Sequence, residues 1–348
     1  MRMYVAALVL VSSIATACGW LMPVSAQDHR STHALPSTQL GGDNAAARSG
    51  TQAAPGFAHA RVAENPDAPE ARMVGQATCT ACHARETEHF AHTTHALGMN
   101  VAYAADPATP TCEACHGPGS LHAQQPTRKG TIIAFTHQGG TDVQTQADAC
   151  LGCHQGGPRN HWLGSVHQRN DVSCSDCHNP MSRSSAEGLQ AQHSINDTCA
   201  TCHQDIRQQF NQRSHMPLSE GQMTCVDCHN PHGSINATLL KTDTVNKTCY
   251  QCHAEKRGPF LWEHAPARES CLNCHTPHGS NQHALLVAPV PMLCQQCHSH
   301  TRHPNDLFTE QQLASGATPD ERLMGRGCLT CHAQIHGSNH PAGPRLHK

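Results

Sequence analysis

Ten times in 348 residues the chain repeats Cys-x-x-Cys-His, and every cysteine beyond residue 26 belongs to one of these repeats. The thiol pairs are Cys79 and Cys82, Cys112 and Cys115, Cys150 and Cys153, Cys174 and Cys177, and Cys199 and Cys202. The series continues with Cys225 and Cys228, Cys249 and Cys252, Cys271 and Cys274, Cys294 and Cys297, and Cys328 and Cys331. The histidines that follow are His83, His116, His154, His178, His203, His229, His253, His275, His298 and His332. On a helical turn, residues i, i+3 and i+4 share a face. Two thiols can therefore bond to one edge of a haem while the imidazole reaches its iron, and the spacing is the c-type haem attachment motif. Zinc ribbons, dithiol redox sites and disulfide frameworks also use paired cysteines, but none needs a histidine after every second one.

Composition agrees with a fold organised by a bound group. Only fifty residues are Leu, Ile, Val or Phe, too few for a conventional core in a chain of this length. The net charge of -3 suggests neither a charged disordered chain nor nucleic-acid binding. Ten haems in the 254 residues from Cys79 to His332 leave about 25 residues each. So short a segment cannot enclose a macrocycle alone, and neighbouring haems must supply much of the buried apolar surface. With Gly and Pro interrupting nearly every interval, the expected fold is mostly irregular with short α-helices and no sheet, an extended haem wire.

Residues 1–26 read as a signal peptide, with Arg2, an apolar stretch and a small-residue cleavage site at Val24, Ser25 and Ala26. A lipoprotein-like Cys18 and an uncleaved anchor are the other readings. Residues 27–72 are Ala-, Pro- and Gly-rich, lack cysteine and read as a flexible tether, with His29, His33 and His59 as solvated side chains. Five motifs fall in 73–215 and five in 216–348. No later segment is apolar enough to span a bilayer, so no direct lipid contact is expected.

The second iron ligand separates an electron carrier from an enzyme, because iron closed on both sides offers substrate no place. Twenty-one histidines lie outside the motifs, against seven Met beyond the signal, enough for bis-His ligation throughout. A recurring His-Gly-Ser ranks His232, His278 and His336 first as distal ligands. His95, His122, His167, His215 and His264 follow, then His161 and His303, with His92, His137, His193, His300 and His340 as substitutes. The alternative for each is a surface or propionate-bonding histidine. No catalytic residue of another kind is legible. A reductase with one open haem is the rival reading, but no motif replaces its His by Lys, and Tyr103 and Tyr250 are the only Tyr beyond the signal. Trp162, Trp262, Arg257 and Arg268 suit haem packing and propionate pairing, or else a docking face.

From about residue 73 to the end, the chain resembles the periplasmic decahaem cytochromes of the MtrA, PioA and DmsE group. The resemblance rests on the ten motifs and on the phrases CYQCHAEKRGPFLWEH from Cys249, CLNCHTPHGS from Cys271, CLTCHAQIHGSNHP from Cys328 and HWLGSVH from His161. It does not cover the tether. It implies an extended wire of two pentahaem halves, 73–215 and 216–348, with ten covalently bound haem c groups and a place in the periplasm at the outer membrane. It also implies an outer-membrane β-barrel porin as sheath, and electron exchange with periplasmic and extracellular redox proteins. A soluble periplasmic electron reservoir is the alternative, and the direction of electron flow stays open.

Overall fold

The computed structural model describes residues 62–103, 111–185, 188–236, 238–298, 327–341 and 343–347. The signal segment, most of the tether, His300, His303 and the acidic stretch up to residue 326 lie outside these. All ten motifs close the same turn. The motif His N–H donates to the carbonyl of the first Cys, at 2.8 Å in the fourth motif and 3.0 Å in the second, fifth and sixth. In the others the distance is 2.9 Å. This bond is one turn of α-helix, and it puts both thiols and the imidazole on one face.

Around this shared turn the motifs alternate between two forms. In the first, third, fifth and seventh a helix ends on the motif: Gln76–Thr80, Val143–Leu151, Ile195–Ala200 and Val245–Tyr250 each carry the first Cys near their C-terminal end. Asp142, Ser194 and Thr244 cap three of these helices through side-chain oxygens, satisfying amides that have no partner within the helix. In the fourth and sixth a helix begins on the motif, as Cys174–Cys177 and Cys225–Cys228, set by the capping boxes Ser173/Asp176 and Thr224/Asp227. The chain then loops back onto its own motif through the isolated bridges His178↔Gln190, His229↔Leu240 and, in the eighth, His275↔Leu286. Each loop turns on a leucine with left-handed backbone, Leu189 (φ 50), Leu239 (φ 57) or Leu285 (φ 58). That conformation is uncommon for a side chain with a Cβ, and here it aims the preceding carbonyl at the motif histidine.

Successive motifs are fastened in pairs by polar side chains. Asn196 Oδ1 accepts the Cys225 N–H at 2.9 Å, and Asn246 Oδ1 accepts the Cys271 N–H at 2.8 Å. In each case a residue on the helix of one motif fixes the start of the next. Among the described residues the bridges are isolated, and the fold is helical and free of sheet. No helix there is long and apolar enough to cross a membrane.

The apolar interior is as thin as the composition requires. Buried hydrophobic side chains among the described residues are five alanines, Ile133 and Trp162. The last part of the tether is built into the fold rather than hanging from it. Ala63 N–H donates to Ala114 O at 3.1 Å, Asn65 Nδ2 to Gly130 O at 3.0 Å, and Arg72 N–H to Ser120 Oγ at 2.8 Å. Glu113, inside the second motif and 1% exposed, accepts from the N–H groups of Val74, Gly75 and Gly119 at 2.8–2.9 Å. A buried carboxylate is tolerable only when so bonded, and this one moors residues 74–75 to the motif.

Candidate haem-binding sites

Seven of the ten motif histidines face a second histidine from elsewhere in the chain. The ring centres of His83 and His122 are 6.1 Å apart, those of His178 and His232 6.0 Å, and those of His167 and His203 6.2 Å. His229 with His278, His264 with His298, and His275 with His336 are each at 6.2 Å. His95 and His154 are at 5.7 Å, with Nε2 atoms 3.4 Å apart. Two nitrogen–metal bonds of about 2 Å, plus about 1 Å from each nitrogen to its ring centre, span about 6 Å. Every one of these pairs joins a motif histidine to one outside the motifs, which chance ring contacts would not do.

The protonation states suit ligation. A ligating imidazole must be neutral. Burial lowers the pKa of His95, His122, His264, His278 and His336, and brings that of His232 to about 4. On the motif side, Nδ1 of His116, His178, His229, His275 and His332 bonds to the backbone carbonyls of Ile133, Gly188, Thr238, Ala284 and Arg345 at 2.7–2.9 Å. Donating Nδ1–H to a carbonyl leaves Nε2 bare and orients the ring. The left-handed leucines of four of these loops, Leu189, Leu239, Leu285 and Leu346, therefore serve the sites directly.

The cysteines of successive motifs lie near one another. Cys79 and Cys112, the first cysteines of the first two motifs, are close enough for each to perturb the other's thiol. So are Cys150 and Cys174, Cys199 and Cys225, Cys249 and Cys271, and Cys294 and Cys328. The second cysteines stand in electrostatic reach across the alternate steps, Cys115 of Cys153, Cys177 of Cys202, Cys228 of Cys252 and Cys274 of Cys297. Each motif is thus near its predecessor through one thiol and near its successor through the other. Burial, with Cys79 alongside, pushes the Cys112 thiol up to about 11.

These residues fit a haem. An open, apolar cleft at the fourth motif is lined by Cys174, Cys177, His178 and the facing His232, with Trp162 and Arg159 at its wall. Buried inside are two polar atoms without protein partners, Trp162 Nε1 and His232 Nδ1. An apolar ring carrying iron and two carboxylates matches that lining, with Arg159 placed for a carboxylate. The three glycines of the His-Gly-Ser phrases are explained as well. A Cβ on Gly233 would collide with the His161 carbonyl, one on Gly279 with the Gln209 carbonyl, and one on Gly337 with the Phe260 ring.

Three expected distal ligands are not among the seven facing pairs. His161 is exposed, and its backbone is what packs on Gly233. His215 bonds through Nδ1 to Gln212 O at 2.6 Å and through Nε2 to Glu220 at 3.0 Å, and these partners raise its pKa. His303 lies outside the described residues. His347 lies 4.5 Å from His332, too close for a metal between the rings. It follows the left-handed Leu346, so its counterparts in the earlier loops are Gln190, Leu240 and Leu286, which sit beside the motif histidine. Glu113, Asn196 and Asn246 drew no notice in the sequence. The only signal for the two Asn is their shared place three residues before a motif's first Cys.

Comparison with known proteins places the chain in the same chemistry. The family described as "Doubled CXXCH motif" matches residues 215–258 and 264–303, and that described as "Cytochrome c-type protein NrfB-like" matches 112–194. "Multiheme cytochrome MtrA" of Shewanella baltica (strain OS185) is 44% identical over 218 residues, covering 62% of this chain and 65% of that protein. Over the matched residues the chain is similar to multihaem c-type cytochromes and carries paired CXXCH motifs, and it spans a little under two thirds of the length of the MtrA relative.

Proposed function

We propose that this chain is a decahaem electron-transfer cytochrome that carries electrons in the periplasm between soluble carriers and the outer membrane, held within a barrel porin. The observation behind this reading is the set of seven motif histidines that each face a second histidine at 5.7–6.2 Å, with the cysteines of successive motifs near one another along the chain. Bound at the ten motifs, haem c supplies one-electron iron chemistry. The chain's own part is positional. The thiols of successive motifs lie near one another, and the seven facing histidines would close their irons to exogenous ligands. The backbone carbonyls fix ring orientation, so little rearranges when charge arrives. Histidine on both sides lacks the potential-raising thioether of Met and favours low, overlapping potentials.

His215 belongs to this scheme as the ligand opposite His253. His167, which precedes the fourth motif, faces the fifth, and His264, which precedes the eighth, faces the ninth. His215 precedes the sixth motif, and the same rule assigns it to the seventh. The chain divides into two pentahaem halves that meet between His203 and Cys225.

The test is an optical spectrum of the purified mature protein, oxidised, reduced, and reduced under carbon monoxide. Low-spin haem throughout, indifferent to carbon monoxide, is the expected result. A substantial high-spin, carbon-monoxide-binding fraction would refute the carrier reading in favour of an open catalytic haem. Co-purification with a membrane barrel separates the conduit from a freely diffusing reservoir, which would be recovered alone.

A further inference from the structure

The loops of the fourth, sixth and eighth motifs place their residues alike. After His178 the chain reads Asn179, Pro180, Met181; after His229 it reads Asn230, Pro231, His232; after His275 it reads Thr276, Pro277, His278. Asn179 Oδ1 accepts the Met181 N–H at 3.0 Å, as Asn230 Oδ1 accepts the His232 N–H at 3.3 Å. The residue after each motif histidine donates its N–H to the left-handed leucine: Asn179 to Leu189 and Asn230 to Leu239, both at 2.7 Å, and Thr276 to Leu285 at 2.8 Å. Met181 therefore leaves the backbone where His232 and His278 leave it.

Those two histidines, with His336 of the tenth motif, each face the motif histidine of the preceding even-numbered site. His232 faces His178, His278 faces His229, and His336 faces His275. Moved one step toward the N-terminus, the rule brings residue 181 opposite His116. His116 is prepared for a ligand. Its Nδ1 bonds to Ile133 O at 2.8 Å, and Phe135 meets the ring edge-on at 5.1 Å. We propose that Met181 is the second axial ligand at the His116 site, giving that haem imidazole–thioether ligation in place of the bis-His form. A thioether is a soft, neutral donor that needs no deprotonation and is a recognised haem ligand.

The departure extends beyond one residue. Gly233 and Gly279 are required where another backbone crosses the loop, whereas Ser182 follows Met181. The fourth loop, Met181-Ser182-Arg183, thus departs from His-Gly-Ser at all three positions. Met181 itself is half-buried, as a side chain reaching toward a packed site should be. A Met ligand raises the potential of its haem, so an electron entering at the first motif would come to rest at the second before moving on.

This inference rests on the motifs carrying haem c, and the experiment reads the two separately. Mass of the holoprotein gives the haem loading; a chain lacking haem on Cys112 and Cys115 would overturn the haem reading and the ligand together. On fully loaded, oxidised protein, the sulfur-to-iron charge-transfer band of a Met-ligated ferric haem is expected in the far red. In a redox titration about a tenth of the haem should titrate above the rest. Met181→His should abolish the band and merge that fraction with the others at unchanged loading. Met181→Leu should instead leave one iron open, high-spin and carbon-monoxide-binding. Fully loaded protein without the band, or a band that survives Met181→His, would overturn the assignment.

Discussion

Replacing Glu113 by Gln tests whether the second motif is moored by charge or merely packed. The carboxylate is 1% exposed, and Oε1 accepts from both Val74 and Gly119 while Oε2 accepts from Gly75. Glutamine has nearly the same shape, and its single carbonyl oxygen can keep the first two donors. Its NH2 group then confronts the Gly75 N–H. One charge-assisted bond is lost and one buried donor is stranded, a cost of about 2–3 kcal/mol. Native-state hydrogen exchange at the Val74, Gly75 and Gly119 amides is the direct assay. At tenfold per 1.4 kcal/mol, exchange there should accelerate by about 30- to 150-fold, with little change in the helix Val245–Tyr250, which lies in the seventh motif. Equal protection at all three amides in Glu113→Gln and the parent would refute the argument. It would mean that packing by Ala63, Ala114 and Ile133 alone holds residues 62–75 in place.

Four further outcomes are expected. His278→Ala opens the iron held by His229, and about a tenth of the haem should turn high-spin and bind carbon monoxide; an unchanged spectrum would mean the ring facing His229 is not its ligand. Asn246→Ala removes the bonds to Cys271 N–H and Arg268 O, about 1–2 kcal/mol, read as a lower thermal midpoint, with Asn196→Ala giving a matching loss at the preceding motif pair. Asp142→Ala removes the cap of Val143–Leu151 at about 1 kcal/mol. Because the Thr145 hydroxyl, then its N–H, holds the Asp142 carboxyl below the usual range, the parent's advantage should be complete above ordinary carboxylate pKa values and vanish as pH falls through the lowered one; a difference that persists in acid would contradict the capping role. Gly279→Ala drives a Cβ into the Gln209 carbonyl, costing about 1–3 kcal/mol, seen as poor recovery of fully loaded protein, whereas Gly98→Ala should be milder because open space surrounds it and its backbone is not left-handed.

What the sequence disclosed was the chemistry of each site more than the partnership between sites. The spacing of Cys79, Cys82 and His83 dictates one helical turn, and that turn recurs at all ten motifs. The repeated phrase marked His232, His278 and His336, all of which face a motif histidine. It did not show that each serves a motif earlier in the chain rather than its own, because that depends on how loops cross in space. His161 looked like a ligand by its neighbours, yet its backbone is what the crossing uses. Residues 62–72 read as tether by composition, since Ala and Pro carry no sign of the amide and carbonyl bonds that tie Ala63 and Asn65 into the fold. Glu113 reads as an idle residue inside Cys-x-x-Cys; its three donors come from segments on either side of the motif, and no local pattern announces them.

The alternation of thiol contacts limits how such a chain can grow. A motif that meets its predecessor through its first cysteine must meet its successor through its second, and the helix-ending and helix-beginning forms alternate in step. Insertion of one motif would set like edges against unlike and two loops of one kind side by side. Insertion of two restores the phase. The heritable unit is therefore the doublet, and chains of this architecture should lengthen or shorten across their history by even numbers of haems.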